Sequence, residues 1–220
     1  MPVLLAGRDE GGVALRNLDL LGLVGDDSHA LCHEQNQPDR EQDADNRGRD
    51  ARGQGERAPA ITRAINDWEV VRWLSRVPYP YQQTDAAEFI DRSEIAWAEQ
   101  NAFRFVIILK SEIVGGIGLE RHDKSLFDLG YWITRQHWSK GIATEAIFAI
   151  IYFAHEQLAA SGITASCHEE NQRSEKVLLK TNFSRVGTGL RFSTALGKKV
   201  AVTQFLWDPA DTDRSISLSR

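Results

Sequence analysis

The sequence predicts an α+β (mixed α/β) fold, in which helices flank a central, mixed, mostly antiparallel twisted sheet of six or seven strands. Three observations predict it. Residues 103–133 contain three strand-like apolar runs joined by short polar turns, which is typical of an antiparallel meander. A long apolar run with helical spacing follows from about Gly141 to Ala160. A further strand-like run at 162–167 completes a βαβ unit with a parallel pair of strands.

Local patterns give the individual elements. We predict the meander strands at 103–109, 112–120 and 126–133, and two closing strands at 183–188 and 199–207. Glycines between 115 and 130 indicate bulges or a bend in the sheet. Asn171 is the predicted N-cap of a helix from Gln172 to Thr181.

The N-terminal part of the chain differs from the rest in composition. From His33 to Ala58 the only apolar residues are three alanines, so this stretch is predicted to be disordered or a long linker. Val13–Val24 is apolar enough to form a short strand or helix. We therefore divide the chain into an N-terminal extension (1–57), an ordered domain (58–208) and a polar C-terminal tail (209–220).

The composition argues against nucleic-acid and membrane partners. The net charge of −5 comes from the first 60 residues, and residues 61–220 carry 19 basic and 19 acidic residues. Such a balance does not favour nucleic-acid binding. No apolar run approaches the roughly 18 residues that span a bilayer. Without a recognisable signal peptide and with 2 cysteines, the protein is expected to be cytoplasmic and reduced. The sequence does not predict an oligomeric state.

The stretch from Tyr131 to Glu145 is the centre of the functional prediction. A strand ending at Thr134 leads through a short polar turn into a helix that begins near Gly141. The first N–H groups of a helix lack intrahelical partners, and the helix dipole favours negative charge there. Gly141 and Ala143 are small enough for a phosphate to approach the backbone. The sequence therefore predicts an anion site, and the alternative is that Gly141 only packs the helix against the sheet.

The order and spacing of these motifs resemble the GNAT acetyltransferase superfamily, and within it the RimJ/RimL-like branch of ribosomal-protein-alanine N-acetyltransferases. The resemblance covers about residues 58–208 and rests on the segments 66–74, 115–118, 130–146 and 171–183. It implies the GNAT fold with acetyl-CoA bound at the βαβ unit. It also implies transfer of the acetyl group to a primary amine by direct attack in a ternary complex.

The resemblance implies which residues bind acetyl-CoA. The pyrophosphate loop of the family, Arg/Gln-x-x-Gly-x-Gly/Ala, corresponds to Trp138–Ala143, where Trp138 replaces the usual first residue and should cost a side-chain contact. The end of the preceding strand would pair with the pantetheine arm like an added strand. Asn171 would contact the same arm. The implied binding residues are Ile133, Thr134, Arg135, Trp138, Ser139, Lys140, Gly141, Ile142, Ala143, Thr144 and Asn171.

Two residues are implied in catalysis. The Ser174 hydroxyl would lie near the sulfur and protonate the departing thiolate, unless its role is helix capping. The attacking amine must lose a proton, and Glu120 is the candidate base by family position. His168, Glu169 and Glu170 are other candidates, and each of them could instead be an ordinary loop charge. Neither cysteine lies at a nucleophile position.

The acceptor and a rival function stay open at this stage. The acceptor could be a protein N-terminus, a small-molecule amine or an antibiotic. The rival is a non-catalytic acyl-CoA-binding module, favoured by Trp138 and by the polar sequence where the family has its first strand. Val13–Val24 either supplies that strand or the domain lacks it. Cys32-His-Glu34 and Cys167-His-Glu169 lack metal-ligand spacing, so no metal is expected.

Overall fold

The computed structural model describes residues 4–6, 13–17 and 57–210. Its strands are β1 Leu4–Ala6, β2 Val13–Asn17, β3 Ala102–Leu109, β4 Glu112–Arg121, β5 Leu126–Ile133, β6 Gly162–His168, β7 Ser184–Ser193 and β8 Lys198–Trp207. They form one sheet in the order β1-β2-β3-β4-β5-β6-β8-β7. Only β5 and β6 pair in parallel among these strands. The predicted mixed, mostly antiparallel sheet is therefore confirmed, with eight strands where six or seven were expected.

Helices cover both faces of this sheet. They are α1 at 57–65, α2 Trp68–Val71, α3 Gln83–Ala98, α4 Ile142–Leu158 and α5 Gln172–Lys180. Helix α4 connects β5 to the parallel strand β6, which confirms the predicted βαβ unit. Within the described ranges, no helix is long and apolar enough to cross a membrane.

Two apolar cores lie on opposite faces of the sheet. The larger one joins α4 to the strands through residues such as Phe103, Phe127 and Ile150. The smaller one joins α1 and α3 to the strands, and includes Ile61 and Ile90. Because side chains alternate along a strand, each residue of β5 faces one core or the other. We call these two faces the α4 face and the α3 face.

Strand β2 resolves the question of the missing first strand. Its Leu15 is fully buried in the larger core and pairs with Ile107 of β3. The apolar segment that begins at Val13 therefore supplies this strand as the seventh, and β1 is the additional, unexpected eighth strand. Residues 18–56, with the stretch expected to be disordered or a linker, and residues 211–220 lie outside the described residues. The proposed division of the chain into extension, domain and tail stays a prediction.

The two central strands separate in the middle of the sheet. The parallel pairing of β5 with β6 runs from Leu126↔Gly162 to Leu129↔Ala165. Beyond Leu129, β5 is paired with β4 and β6 with β8. A gap therefore opens between the C-terminal halves of β5 and β6, and it joins the two faces of the sheet. We call it the β5–β6 gap.

Candidate active site

The end of β5 presents backbone groups to the β5–β6 gap. The Thr134 N–H donates to Val114 O at 2.9 Å, on the β4 side. In an antiparallel pair, alternate residues turn their N–H and C=O groups away from the partner strand. Tyr131 and Ile133 therefore turn theirs towards the gap, where an extended ligand could pair with them like a strand. The Trp138 indole N–H donates to Ile133 O at 2.8 Å and ties the following loop to this edge.

The loop after β5 ends in an uncapped helix N-terminus. Gly141 is the N-cap of α4 with φ of 84°, and Ser139 also has a positive φ of 61°. No side chain caps this helix, and its first intrahelical bond runs from the Glu145 N–H to Gly141 O at 3.0 Å. The N–H groups of 142–144 precede that bond, so they are available to an anion. Successive N–H groups around positive-φ residues form a concave anion site.

Three neutral hydrogen-bonding side chains meet where the strands separate. The Tyr131 hydroxyl lies 2.8 Å from Ser174 Oγ, and the Cys167 thiol hydrogen-bonds to the same serine. Burial raises the pKa of the Tyr131 hydroxyl and raises the pKa of Cys167 to about 11. All three groups therefore keep their protons at neutral pH. They form a proton-donating cluster beside the β5–β6 gap.

The helix cap beside this cluster is made by Asn171 and not by the serine side chain. Asn171 Oδ1 accepts from the Ser174 N–H at 3.2 Å, which confirms the predicted N-cap of α5. The Ser174 hydroxyl instead bonds to Tyr131. The alternative role of that hydroxyl in capping is therefore wrong, because the cap uses only its main chain.

Two carboxylates lie side by side on the α3 face. Glu120 of β4 is directly opposite Asp128 of β5. Arg76 and Arg104 both form ion pairs with Glu120, the latter at 2.7 Å. Burial works to raise the pKa of Glu120, but the hydrogen bonds and charges of Arg76 and Arg104 outweigh it and hold the pKa below its usual value. The lowered pKa makes Glu120 a weaker base than an ordinary glutamate.

Asp128 is better placed to meet a substrate, and the sequence interpretation missed it. Its carboxylate accepts from Thr164 Oγ1 at 3.0 Å and lies 3.4 Å from Arg191 Nη1. It also lies one residue before the last paired rung, Leu129↔Ala165, at the closed end of the gap. The signal was a single acidic residue in a strand of a βαβ unit. Such strands are covered on both faces, so a charge there has a specific task.

A hollow lies next to Asp128. Gly130 follows it on the α3 face and is exposed, although β5 is a central strand. A Cβ added to Gly130 would meet nothing within 4 Å. The next side chain on this face, Trp132, folds away over Gly116, where an added Cβ would lie 2.6 Å from the indole nitrogen. The floor of the sheet is therefore open above Gly130.

The α2–α3 loop, residues 72–82, crosses the α3 face near this hollow. Two adjacent residues of the loop hold it there. Thr194 of the β7–β8 turn donates its N–H to Ser75 O at 2.9 Å, and Arg76 forms an ion pair with Glu120 on β4. The loop is thus attached at one point to elements on both sides of the β5–β6 gap.

The remaining candidate bases follow β6. His168 is buried, with Trp73 of the α2–α3 loop 5.6 Å away between ring centroids. Its Nε2 has no hydrogen-bond partner among the described residues. Burial holds the pKa of His168 below its usual value and Arg72 lowers it further, against the opposing charge of Glu170, so the imidazole is neutral. Glu169 and Glu170 are exposed.

The order of these elements and the loop at Gly141 agree with one family. Residues 54–184 match the family described as "Acetyltransferase (GNAT) domain", which is more than half of the chain. The chain belongs to the GNAT acetyltransferase family. The predicted family, the N-acetyltransferase class and acetyl-CoA as the acetyl donor are thereby confirmed.

Relatives of this GNAT protein carry similar names. It is 29% identical over 154 residues to "Uncharacterized N-acetyltransferase p20" of Bacillus licheniformis, covering 68% of this chain and 86% of p20. It is 26% identical over 81 residues to the ribosomal-protein-serine acetyltransferase of Escherichia coli K12, covering 36% of this chain and 45% of that protein.

Solved structures show the same GNAT fold. Mycobacterium smegmatis RimJ, in complex with CoA-disulfide, has a TM-score of 0.66 at 18% identity, covering 91% of this chain and 84% of RimJ. The ribosomal L7/L12 α-N-protein acetyltransferase RimL, in complex with coenzyme A, has a TM-score of 0.67 at 13% identity, covering 93% and 97%.

Most of the residues assigned to acetyl-CoA gather around one end of the β5–β6 gap. Ile133, Trp138 and the loop residues Ser139 to Thr144 form a continuous surface from β5 to α4, with Lys140 exposed. The Thr134 N–H donates to Val114 O, and the Thr134 hydroxyl lies 2.8 Å from His137 Nδ1. Arg135 is exposed at the start of a 3₁₀ turn. The uncapped N-terminus of α4 fits a pyrophosphate, and the edge of β5 fits an extended arm.

The two predicted catalytic residues lie on opposite faces of the sheet. Ser174 meets Tyr131 on the α4 face, whereas Glu120 is on the α3 face. The β5–β6 gap connects the two faces, so an acid and a base could act from opposite sides of it. No group of three or more His, Cys, Asp or Glu residues in the described parts of the chain could hold a metal ion.

Proposed function

We propose that this GNAT enzyme acetylates the α-amino group of a protein N-terminus, which it binds in the hollow above Gly130. The observation that carries the proposal is an exposed glycine in a central strand beside the Asp128 carboxylate. Acetyl-CoA supplies an acetyl group that is already activated as a thioester. The chain then has to bind the amine next to the gap, remove its proton and protonate the departing sulfur.

Asp128 is the proposed proton acceptor, directly or through a water molecule. It borders the hollow, and its bonds to Thr164 and Arg191 fix the carboxylate without surrounding it. In this proposal Glu120 is not the base, because Arg76 and Arg104 both hold its carboxylate in ion pairs.

Ser174 is the proposed proton donor on the other side of the gap. Its hydroxyl can pass a proton to the departing sulfur and recover one from the Tyr131 hydroxyl at 2.8 Å. Solvent then returns a proton to Tyr131, and Asp128 releases the proton of the amine to solvent, so that each group ends in its starting form. Cys167 does not fit a covalent route, since a thiol whose pKa is raised to about 11 contains little thiolate at neutral pH. This supports direct attack of the amine in a ternary complex.

The approach to the hollow favours a chain end as the acceptor. The adjacent residues Ser75 and Arg76 attach the α2–α3 loop to the β7–β8 turn and to β4, so that the loop lines a path to Asp128 on the α3 face. An extended N-terminal peptide can follow such a path. The names of relatives agree, since one is a ribosomal-protein-serine acetyltransferase and a structural neighbour is an α-N-protein acetyltransferase. Such a substrate would also fit the predicted cytoplasmic location.

A panel of acceptors tests the proposal. The full chain is incubated with acetyl-CoA and peptides that have free N-termini, the same peptides with a blocked N-terminus and an internal lysine, small polyamines, or aminoglycosides. Release of free thiol and the mass of the product report transfer. We expect acetylation of free N-termini alone. Transfer to lysine or to small amines only would contradict the proposed acceptor and support a small-molecule enzyme.

Gly130→Leu provides a matched variant for the same assay. The new side chain enters open space, so the fold and acetyl-CoA binding should be retained. It fills the hollow, so the KM for the peptide should rise about tenfold or more, as expected when a pocket is filled by a few methylenes. An unchanged KM in a folded variant would place the acceptor elsewhere.

A further inference from the structure

Trp138 does more than replace the usual first residue of the pyrophosphate loop. Its indole N–H is fixed on Ile133 O at 2.8 Å, which leaves a ring face available. The guanidinium carbon of Arg173 lies over that ring, 4.8 Å from the centroid. A guanidinium stacked on an indole is held by the ring quadrupole while its N–H groups point outward.

Arg173 occupies a position that its own helix does not favour. It is the second residue of α5, after the N-cap Asn171 and the first helical residue Gln172. A positive charge in the first turn of a helix opposes the helix dipole. Among the described carboxylates, none forms a salt bridge with Arg173, although its neighbour Glu175 pairs with Arg185 at 2.8 Å. The arginine is therefore exposed, positioned by a ring and without a counter-charge in the described part of the chain.

We infer that Arg173 binds a phosphate of acetyl-CoA and supplies the side-chain contact that the loop loses by having Trp138 at its first position. The inference rests on the use of acetyl-CoA by this enzyme. Trp138 is three residues before Gly141, so the loop that leads into the N-terminus of α4 also carries the ring on which the guanidinium stacks. Arginine binds phosphate oxygens through two parallel N–H groups. The contact thus comes from another helix instead of from the loop itself.

Both the pyrophosphate and the 3′-phosphate of the coenzyme offer this chemistry. Three ligands distinguish the two phosphate groups. Acetyl-CoA carries both, its analogue without the 3′-phosphate carries only the pyrophosphate, and acetyl-pantetheine carries neither. Binding is measured by titration calorimetry with the full wild-type chain and with Arg173→Gln. We expect Arg173→Gln to weaken acetyl-CoA binding about tenfold, which is the effect expected from the loss of one charge-assisted contact. Acetyl-pantetheine should bind both proteins equally.

The analogue without the 3′-phosphate identifies the bound group. If the variant still loses about tenfold with it, Arg173 contacts the pyrophosphate, and if the loss disappears, it contacts the 3′-phosphate. Either result supports the inference. Equal acetyl-CoA binding by wild type and variant would overturn it, and so would an equal loss for acetyl-pantetheine, which would show a general structural effect. Failure of the wild type to bind acetyl-CoA would overturn the enzyme assignment as well.

Two further comparisons isolate the stacked arrangement. Arg185→Gln removes an exposed arginine that already pairs with Glu175, so it controls for the change in net charge and should bind like wild type. Trp138→Phe keeps a ring, whereas Trp138→Leu does not. The effect of Arg173→Gln should persist in the phenylalanine background and shrink in the leucine background. An effect of the same size in both backgrounds would contradict positioning by Trp138.

Discussion

The two sides of the β5–β6 gap are built in different ways. The coenzyme side is nearly continuous in sequence, from Ile133 to Thr144, and it works mainly through backbone groups and the end of a helix. The α3 face is assembled from β4, β5, β6, β7 and the α2–α3 loop, and it works through side chains such as Asp128 and Arg191. In the proposed function the first side binds acetyl-CoA, the donor used across the family, and the second side has to fit an acceptor.

This difference determines what substitutions should do. Backbone-based binding tolerates most side-chain changes but fails when the local conformation changes or negative charge is added. The α3 face should respond residue by residue, with acetyl-CoA binding preserved. Substitutions on the two sides should therefore separate the affinity for acetyl-CoA from turnover and from the KM of the acceptor.

The largest effect is expected on the coenzyme side, from Gly141→Glu. Gly141 has a φ of 84°, which a residue with a Cβ adopts at a cost, and the new carboxylate would repel a phosphate. We expect the Kd for acetyl-CoA to rise by more than about a hundredfold, equal to about 2.7 kcal/mol. Calorimetry with Gly141→Ala, which has the strain without the charge, should give an intermediate value. Near-normal binding by Gly141→Glu would disprove the anion site.

Asp128→Asn should have the next largest effect, on turnover alone. The amide keeps the shape and one acceptor atom but cannot take a proton, so kcat should fall about 10²–10³-fold. The Kd for acetyl-CoA should not change. Glu120→Gln is the matched comparison, and it should lower kcat less while lowering stability, because Arg76 and Arg104 lose an ionised partner. A larger loss of kcat in Glu120→Gln would return the role of base to Glu120.

Ser174→Ala should have a smaller effect on turnover. The cap of α5 uses the Ser174 N–H, so the alanine variant should fold normally. We expect kcat to fall about ten- to hundredfold, because the proton donor is lost while the Tyr131 hydroxyl remains nearby. Tyr131→Phe should produce a similar but lesser loss. Full turnover by Ser174→Ala in a peptide acetylation assay would exclude the general-acid role.

The smallest expected effect concerns stability near the acceptor site. In the folded protein the pKa of His168 lies below its ordinary value of 6.5, so the unfolded chain binds the proton more readily. The free energy of unfolding is therefore unaffected by protonation of His168 above about pH 6.5, and it decreases as the pH falls from there towards the pKa of the folded state. His168→Phe removes this dependence and an unpartnered buried nitrogen, and should add about 1 kcal/mol to the free energy of unfolding near pH 6.

Urea unfolding at pH 8 and at pH 6 checks this prediction. Tyr152→Phe, on the outer side of α4, is a control that should not alter the difference between the two pH values. If His168→Phe were less stable than wild type at both pH values, the imidazole would be making a stabilising contact. That result would contradict the prediction.

The sequence was sufficient for the βαβ unit for a physical reason. Helix period, strand alternation and the small residues Gly141 and Ala143 are local, so the unit and the start of α4 could be predicted from neighbouring residues. Asn182 at the end of α5 shows the same locality, since its φ of 66° is the left-handed conformation expected after a helix.

The α3 face could not be predicted in the same way. The Asp128 carboxylate is held in place by Thr164 and Arg191, which are 36 and 63 residues away in sequence. The hollow above Gly130 depends on Trp132 folding towards Gly116, a side-chain choice that no periodicity encodes. The loss of basicity of Glu120 required knowing that Arg76 and Arg104 converge on it. These three arrangements depend on which residues are close in the folded protein, and residue type alone does not predict that.

The divergence of β5 and β6 couples ligand binding to the stability of the whole sheet. A ligand that fills the gap binds the native state and has no equivalent site in the unfolded chain. By mass action, acetyl-CoA at a hundred times its Kd should add about 2.7 kcal/mol to the free energy of unfolding. The melting temperature should therefore rise with the logarithm of the acetyl-CoA concentration. The enzyme would be more resistant to unfolding and proteolysis when acetyl-CoA is plentiful, so its lifetime could follow the supply of its own substrate.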